Sequence, residues 1–268
     1  MNIIIPMAGE GKRFQEQGYQ IHKPALPVID RRSGKPLPMV VCAALDLPGI
    51  CQDGSNVVFI DRDFHKRDGV ENAIHNELPN GKFITVDHLT DGQACTCLLA
   101  KGSIAPHQEL LIAGCDNGMV LDPDVFEERK KDADCIVFTY RNQETVLANP
   151  NAYGWMITDS GHNITGVSIK KAISDTPMND HAVVATFWFR KADIFIQAAE
   201  KMISENDRVN GEFYVDQVVK HVLDLGYRAK VFEVQRYIGW GTPKDYEEYM
   251  QTIRYWKRFV QDKRYLAE

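Results

Sequence analysis

The spacing of apolar residues predicts that strands and helices alternate along the first half of the chain. Apolar runs of the length expected for buried strands cover residues 2–7, 56–60, 82–86, 109–113 and 135–139. Segments with helical spacing separate them and cover residues 38–47, 64–75 and 94–100. Such alternation is typical of a mostly parallel sheet with helices on both faces. Because ligands bind at the carboxyl ends of such strands, we expect the loops after the first, third and fourth strands to share one cleft.

The pattern changes after residue 150. Short strand-like segments cover residues 153–158, 164–169 and 183–189, and turn residues between them predict a small antiparallel lobe. Helices over residues 191–203 and 212–223 and a strand over residues 228–234 follow. A last helix is expected to begin at Pro243 with Thr242 as its N-cap. Its apolar stripe either packs on the parent domain or forms a subunit contact, which leaves a homodimer open.

Composition and charge exclude several classes of protein. The chain has 268 residues, a formal net charge of -6, 44% hydrophobic residues and 25% charged residues, as an ordinary globular protein does. An acidic chain is poorly suited to coat nucleic acid. The apolar segment near the start is too short for a signal peptide or a membrane span. We therefore expect a cytoplasmic protein that binds neither nucleic acid nor membrane.

A loop of small residues follows the first predicted strand. Gly9 and Gly11 allow backbone N–H groups to approach phosphate oxygens, and the cations Lys12 and Arg13 come directly after them. The P-loop motif is absent, and the dinucleotide fingerprint would need a small residue where Phe14 stands. NAD and FAD are therefore disfavoured, and the loop suits a nucleoside triphosphate.

Two motifs together resemble those of the nucleotidylyltransferases. Gly-x-Gly-x-Arg-Phe over residues 9–14 is followed by Lys-Pro-x-Leu-Pro-Val over residues 23–28. In this pair the chain resembles the sugar-1-phosphate nucleotidylyltransferases and their cytidylyl relatives. Further similar elements span residues 2 to about 250, and they are the loop Thr90–Thr96, Asp116, the pair Tyr153-Gly154, Lys170 in an altered E-K-P element, and Gly241-Thr242-Pro243.

The resemblance implies a three-layer, Rossmann-like α/β fold of the nucleotidyltransferase or GT-A-like type. We expect a single domain over residues 1–268, with a nucleotide-binding half (1–140), an acceptor-binding half (150–240) and a C-terminal helix (243–265). The implied activity is Mg²⁺-dependent joining of a nucleoside triphosphate to a phosphorylated acceptor, with release of pyrophosphate. The chain looks closest to short capsule-related cytidylyltransferases, which favours CTP. The acceptor is then a sugar phosphate or a small precursor of capsule polysaccharide.

The resemblance also assigns roles to residues. Nucleotide binding is expected of Ala8, Gly9, Gly11, Lys12, Gly92 and Gln93. The catalytic cations are Arg13 at the leaving pyrophosphate, Lys23 at the α-phosphate and Lys170 at the acceptor phosphate. Tyr153, Gly154 and Lys171 are expected to bind the acceptor, and Lys171 is also the rival of Lys170. Asp116 is expected to hold Mg²⁺.

The chain departs from the family pattern at two positions. Gly239 stands where the second metal-binding aspartate is expected, and the glutamate before Lys170 is missing. Asp216 is the nearest candidate for the second carboxylate. Two other functions stay open. One is a GT-A-type glycosyltransferase that uses a nucleotide sugar, although Asp116-Asn117-Gly118 lacks the D-x-D pattern. The other is a non-catalytic nucleotide-binding domain.

Overall fold

The computed structural model describes residues 1–261. Its strands are β1 (Asn2–Pro6), β2 (Pro27–Ile29), β3 (Pro36–Pro38), β4 (Val57–Arg62), β5 (Lys82–Val86), β6 (Leu110–Ala113), β7 (Asn117–Val120), β8 (Cys135–Tyr140), β9 (Gly154–Thr158), β10 (Ile164–Ile169), β11 (His181–Phe189), β12 (Ala229–Glu233) and β13 (Arg236–Gly239). Its α-helices are α1 (Lys12–Glu16), α2 (Met39–Leu45), α3 (Asp63–Arg67), α4 (Val70–His75), α5 (Gln93–Leu98), α6 (Pro123–Lys130), α7 (Ala192–Ser204), α8 (Val215–Asp224) and α9 (Pro243–Gln261).

A nine-stranded sheet forms the centre of the molecule. Its main path runs β10-β9-β11-β6-β1-β4-β5, and β8 and β12 branch from β11. Strands β6, β1, β4 and β5 are parallel to one another. Their carboxyl ends therefore meet at one edge of the sheet, where a ligand site is expected. The α/β fold predicted from the sequence is confirmed.

The antiparallel strands of the second half extend this sheet and do not form a separate lobe. Strands β9 and β10 pair antiparallel, as predicted. Strand β11 pairs with β9 near its start and with β6 near its end, which joins them to the parallel strands. Eight of the nine residues of β11 are buried. A strand buried on both faces belongs in the interior of a sheet, which is the physical reason for the difference.

Helices cover both faces of the sheet. Ile4 of β1 packs with residues of α5, α7 and α8, whereas Ile3 and Ile5 pack with residues of α2, α4 and α6. All three isoleucines are fully buried. Burying each such side chain stabilises the fold by about 1.5–3 kcal/mol. The alternation along β1 thus fixes three layers and places the end of β1 between two helical faces.

Several elements differ from the sequence prediction. The helix expected over residues 64–75 is two helices, α3 and α4, because Gly69 adopts a left-handed φ of 81° between them. Strand β7 pairs with β13 and was not predicted. Helix α6 and the short hairpin of β2 and β3 were not predicted either.

Helix α9 packs on the parent domain over its first turns. Thr242 accepts a hydrogen bond from the Asp245 amide at 3.2 Å, as predicted for an N-cap. Tyr246 and Met250 are buried against a cluster that contains Phe14 and Trp240. The later apolar positions of the predicted stripe, such as Trp256, are exposed. Residues 262–265 of the predicted helix lie outside the described residues. Within residues 1–261, every helix is too short or too polar to cross a membrane.

Candidate functional site

A cleft of about 480 Å³ opens at the carboxyl ends of the parallel strands. The loop after β1 contributes Ala8, Gly9 and Gly11 to its lining, and the loop after β5 contributes Gly92 and Gln93. The loop after β6 adds the segment from Gly114 to Asp116. The prediction that these three loops share one cleft is confirmed.

The loop after β1 opens onto a second, smaller cavity of about 270 Å³. Lys12 and Arg13 line this second cavity, which shares Gly11 and Lys23 with the main cleft. Gly11 has a left-handed φ of 66°, which a side chain would strain. A Cβ at Gly9 would meet nothing within 4 Å, so the backbone of the loop is open on that side. The loop therefore leaves room for an anion beside two exposed cations.

Lys12 and Arg13 differ in their surroundings. The Lys12 ammonium lies 2.5 Å from the Glu10 carboxylate, and its side chain is 68% exposed. A hydrogen bond from this lysine to Glu10 and the charge of that carboxylate raise its pKa. Arg13 is also exposed, and no hydrogen-bond partner holds its guanidinium among residues 1–261. Arg13 is thus the freer of the two cations to bind phosphate in bidentate geometry.

Lys23 and Asp116 form an ion pair where the two cavities meet. The Lys23 Nζ atom lies 2.7 Å from the Asp116 Oδ2 atom, and the side chains are 20% and 29% exposed. Burial alone lowers the pKa of Lys23, but the Asp116 charge, the charge of Cys115 and the hydrogen bond to Asp116 together raise that pKa. For Asp116 burial raises the pKa, yet the charge of Lys23, its hydrogen bond to the carboxylate and a backbone hydrogen bond together lower it on balance. Both groups are therefore charged at neutral pH.

Asp116 offers a single carboxylate of the kind that binds a divalent cation. A Cβ at Gly241 would lie 3.1 Å from Asp116 Oδ2, so the glycine keeps space open beside this carboxylate. Mg²⁺ is commonly held by one or two carboxylates together with substrate phosphates. Among residues 1–261, however, no group of three His, Cys, Asp or Glu side chains could hold a metal ion. The protein would therefore supply Asp116 and leave the other positions to phosphate and water.

The base-reading loop predicted from residues 90–96 is tightly attached to the second half of the chain. Phe213 donates its amide to the Asp91 carbonyl at 2.8 Å, and Ala94 donates to the Phe213 carbonyl at 2.9 Å. Gly92 lies so close that a Cβ would be 2.5 Å from the Phe213 nitrogen, and its φ is 132°. Only glycine fits there. Gln93 begins α5 directly after this glycine and faces the cleft.

The predicted acceptor residues lie behind one wall of the cleft. Lys170 donates from Nζ to the Ala152 carbonyl at 2.5 Å and lies 5.5 Å from the centre of the Tyr214 ring. Tyr214 itself lines the cleft, whereas Lys170, Tyr153 and Gly154 are not part of its lining. Lys171 is exposed. Lys170 would have to release a backbone carbonyl before it could bind an acceptor phosphate.

Asp216, the candidate for a second metal ligand, belongs to this group. A Cβ at Gly154 would meet the Asp216 Oδ2 atom at 2.0 Å, so the two residues are in close contact. Burial raises the pKa of Asp216 to about 6, and the Lys170 charge opposes that rise. Asp116 instead contacts Lys23 and the space at Gly241. The two carboxylates thus have different neighbours, and Asp216 as a second ligand stays a prediction.

The aromatic ring of Tyr237 lies next to Gly239, the position at which the second carboxylate was expected. A Cβ at Gly239 would lie 3.1 Å from the Tyr237 hydroxyl. Tyr237 stacks on Tyr140 with ring centres 4.3 Å apart and planes 3° from parallel. Burial raises the pKa of Tyr237, and the nearby Tyr140 and Asp116 add to this rise. An aspartate at position 239 would therefore require the stacked Tyr237 ring to shift slightly.

Sequence reasoning missed several residues that line the cleft. They are His22, His65, Ala185, Glu212 and Tyr214. His65 follows β4, whose carboxyl end lies between those of β1 and β5, so strand order would have indicated it. Its pKa is lowered to about 4 by burial, with the charges of His22 and Arg62 adding to the effect. Trp155, next to Gly154, belongs to the core: it is fully buried and donates a hydrogen bond from Nε1 to the Pro150 carbonyl at 3.0 Å.

Comparison with known proteins rests on three-dimensional structure. The sequence matches no protein-family model and no curated protein. The nucleoside-diphosphate-sugar pyrophosphorylase from Vibrio cholerae RC9 matches with a TM-score of 0.69 and 18% identity, over 93% of this chain and 99% of that one. The inositol-1-phosphate CTP transferase from T. maritima matches with a TM-score of 0.65 and 14% identity, over 94% and 96%.

A third solved structure has a similar fold. UDP-glucose pyrophosphorylase in complex with UDP-glucose matches with a TM-score of 0.63 and 19% identity, over 96% of this chain and 98% of that one. These relatives are covered almost end to end, so the likeness includes both halves of the chain. The chain therefore has the fold of the sugar-phosphate nucleotidylyltransferases.

Proposed function

We propose that this protein is a nucleotidylyltransferase that joins a nucleoside triphosphate to a phosphorylated small-molecule acceptor and releases pyrophosphate. The observation that carries the proposal is the Lys23–Asp116 ion pair, 2.7 Å long, where the main cleft meets the cavity lined by Arg13. It combines a cation for the reacting phosphate and a carboxylate for a divalent ion in one place. The fold supports the same reaction class.

The nucleotide would span the two cavities. Its base would lie between Ala8 and Gln93 in the main cleft, and its phosphates would pass the glycine loop toward Arg13. The Gln93 amide offers both donors and acceptors, and it therefore suits a pyrimidine base. We take CTP as the first candidate. The T. maritima neighbour uses CTP by its printed name, which supports this choice.

The protein would have to position the two substrates and stabilise the charge on their phosphates. It need not supply a nucleophile, because the acceptor phosphate is the nucleophile. It attacks the α-phosphorus in line, the bond from that phosphorus to the bridging oxygen breaks, and pyrophosphate leaves with the electron pair. Lys23 would hold the α-phosphate and the acceptor phosphate together. Arg13 would stabilise the charge on the leaving pyrophosphate with two parallel hydrogen bonds.

Asp116 would hold Mg²⁺ in this protein. The ion, when bound, neutralises charge on the phosphate oxygens and orients them. Lys23 must then exchange part of its contact with Asp116 for contact with phosphate. Because Lys23 already lines both cavities, a small movement of its ammonium group would be enough for this exchange.

The acceptor would enter from the side of Tyr214 and Lys170. We propose a sugar phosphate or a small capsule precursor as acceptor, and a place in surface-polysaccharide synthesis in the cytoplasm. The contact between Lys170 and Tyr214 supports an acceptor site there, since Tyr214 lines the cleft. Lys171, which is exposed nearby, is the alternative cation.

Pyrophosphate release tests the proposal. Each of CTP, UTP, dTTP and GTP is supplied with Mg²⁺ and a panel of phosphorylated acceptors, and release is compared with and without acceptor. We expect acceptor-dependent release, strongest with CTP. Nucleotide binding without release would instead indicate a non-catalytic domain. Transfer from a nucleotide sugar without pyrophosphate would indicate a glycosyltransferase.

A further inference from the structure

Ala185 has a backbone conformation that alanine rarely adopts. Its φ is 56°, in the left-handed region, although it lies inside strand β11. Within residues 1–261, the other non-glycine residues with positive φ are polar or charged, and they are Asn142, His162, Lys170, Asn206 and Asn210. Asparagine in particular tolerates this region through local hydrogen bonds, which a methyl group cannot make. Ala185 is therefore strained, and backbone strain of this kind tends to occur at functional sites.

A bulge in β11 produces this conformation. The register between β11 and β8 shifts between Val183 and Phe187, while Thr186 stays paired with Ala113 of β6. The Thr186 hydroxyl is buried without a hydrogen-bond partner among residues 1–261. Ala185, with its strained backbone, and Thr186, with its unpaired buried hydroxyl, thus both destabilise the strand relative to a regular one. Bulges next to active sites commonly redirect a side chain.

The bulge lies in the wall of the cleft, and its Ala185 is one of the residues that line the cleft. Ala185 lines the cleft together with Asp116 and Tyr214. Gly114 donates its amide to the Ala185 carbonyl at 2.9 Å, and a Cβ on Gly114 would lie 3.5 Å from the Ala185 Cβ. A Cβ on Gly114 would also be 2.7 Å from Asn117 Oδ1, so a side chain there would require the Asn117 amide to shift. The Ala185 methyl is the side chain that narrows the cleft at this point.

We propose that Ala185 is a specificity-determining residue that limits the size of the phosphorylated acceptor next to Asp116. This inference rests on the proposed function, because it assigns the acceptor to that end of the cleft. Glycine at position 185 would relieve the strain and remove the methyl. The alanine excludes acceptors that carry a bulky group at the atom facing it, and it favours compact ones.

The test compares Ala185→Gly with a matched control in the same strand, Ala182→Gly. Ala182 is fully buried and is not among the residues with positive φ. Dissociation constants of glycerol 3-phosphate, as the compact probe, and glucose 1-phosphate, as the bulky probe, are measured by calorimetry in the presence of Mg²⁺ and a non-hydrolysable CTP analogue, so that no transfer occurs during the titration. Melting temperature, and pyrophosphate release with CTP, are measured separately on the same proteins.

We expect Ala185→Gly to shift the ratio of the two dissociation constants about tenfold in favour of the bulky probe. Its melting temperature should rise, whereas that of Ala182→Gly should fall with an unchanged ratio. An unchanged ratio in Ala185→Gly, or binding of neither probe to any variant, overturns the inference. A shifted ratio without pyrophosphate release under any condition keeps the inference and overturns the proposed transfer reaction.

Discussion

The Lys23 ammonium lies 2.7 Å from the Asp116 carboxylate at the point where the two cavities meet. Lys23 is the first residue of a short 3₁₀ turn, and Asp116 lies in the loop after β6. The pair neutralises two charges that would otherwise stand alone in a partly buried place. In the proposed reaction both charges are needed separately, one for phosphate and one for metal. The pair is thus a resting arrangement that the substrates open.

Removing one partner of this pair should affect activity and stability differently. Asp116→Asn should reduce pyrophosphate release on the order of a hundredfold or more while the protein stays folded. Lys23→Met leaves the carboxylate unpaired and should lower the free energy of unfolding by about 1–3 kcal/mol. The double variant should recover part of that loss. Denaturant unfolding of the four proteins measures this coupling, and strict additivity would contradict it.

Arg13 and Lys12 should contribute unequally although they are adjacent. Arg13→Ala is expected to lower kcat/KM for the nucleoside triphosphate by roughly one to two orders of magnitude, because a bidentate phosphate contact is lost. Lys12→Ala removes a cation that already pairs with Glu10, so we expect a change of about threefold or less. Initial rates over a range of triphosphate concentrations decide between them. Equal losses would show that the loop acts through net charge alone.

Gly92 should be irreplaceable for the attachment of the base-reading loop. Gly92→Ala puts a Cβ 2.5 Å from the Phe213 nitrogen and forces the loop away from the second half of the chain. We expect at least a tenfold rise in the dissociation constant for the triphosphate and a lower melting temperature. Gly102→Ala is the control, since a Cβ there meets nothing within 4 Å. Calorimetric titration and thermal unfolding would contradict the account if both variants behaved alike.

Asp61 should make the stability of the fold depend on pH. Both of its carboxylate oxygens are buried without a hydrogen-bond partner among residues 1–261. Burial raises its pKa to about 6, the neighbouring Glu71 adds to the rise, and Thr85 and Lys66 oppose it. A raised pKa stabilises the folded state below about pH 4 and loses that contribution as pH rises through 6.

The free energy of unfolding of Asp61→Asn, relative to that of the natural chain, should therefore increase by on the order of 2 kcal/mol when the pH is raised from 4.5 to 8. Urea unfolding at both pH values measures the difference. Asp53→Asn is the control, because hydrogen bonds from Asn80 and Ser55 lower the pKa of Asp53 to about 2. Its effect should be constant above pH 5. A constant difference for Asp61→Asn as well would show that this carboxyl is not perturbed.

Restoring the aspartate at position 239 should not restore a second metal ligand. Gly239→Asp places a Cβ 3.1 Å from the Tyr237 hydroxyl, and Tyr237 is held by its stack on Tyr140. We expect a lower melting temperature and no tighter binding of Mn²⁺ in the presence of triphosphate. Adding Tyr237→Ala should recover space at position 239. Tighter Mn²⁺ binding by the single variant, measured by electron paramagnetic resonance, would contradict this reading.

Local patterns predicted the features that depend on neighbours in sequence. The strand before Gly9 and the N-cap at Thr242 are set by a few adjacent residues, and the structure shows both of them. The role expected of Asp116 came from the resemblance to the nucleotidylyltransferases and stays a prediction. The cleft followed from the rule that parallel strands end at the same edge.

Features that depend on distant pairing were not accessible in the same way. Strand β7 has four residues without clear alternation, and only its pairing with β13 reveals it. The hydrogen bonds between Phe213 and the loop around Gly92 join segments about 120 residues apart, so no local pattern indicates them. The bulge at Ala185 depends on register against two neighbouring strands. Motif spacing likewise could not show that Tyr237 packs closely beside Gly239.

A crystal structure of the protein with Mn²⁺ and a non-hydrolysable CTP analogue tests the central claim most directly. Anomalous scattering locates the metal, and the density locates base and phosphates. The account predicts a metal ligated by Asp116, the base against Gln93, the α-phosphate at Lys23 and the terminal phosphates at Arg13. A nucleotide bound elsewhere, or a metal that does not contact Asp116 while Lys23 stays paired with it, would contradict the account.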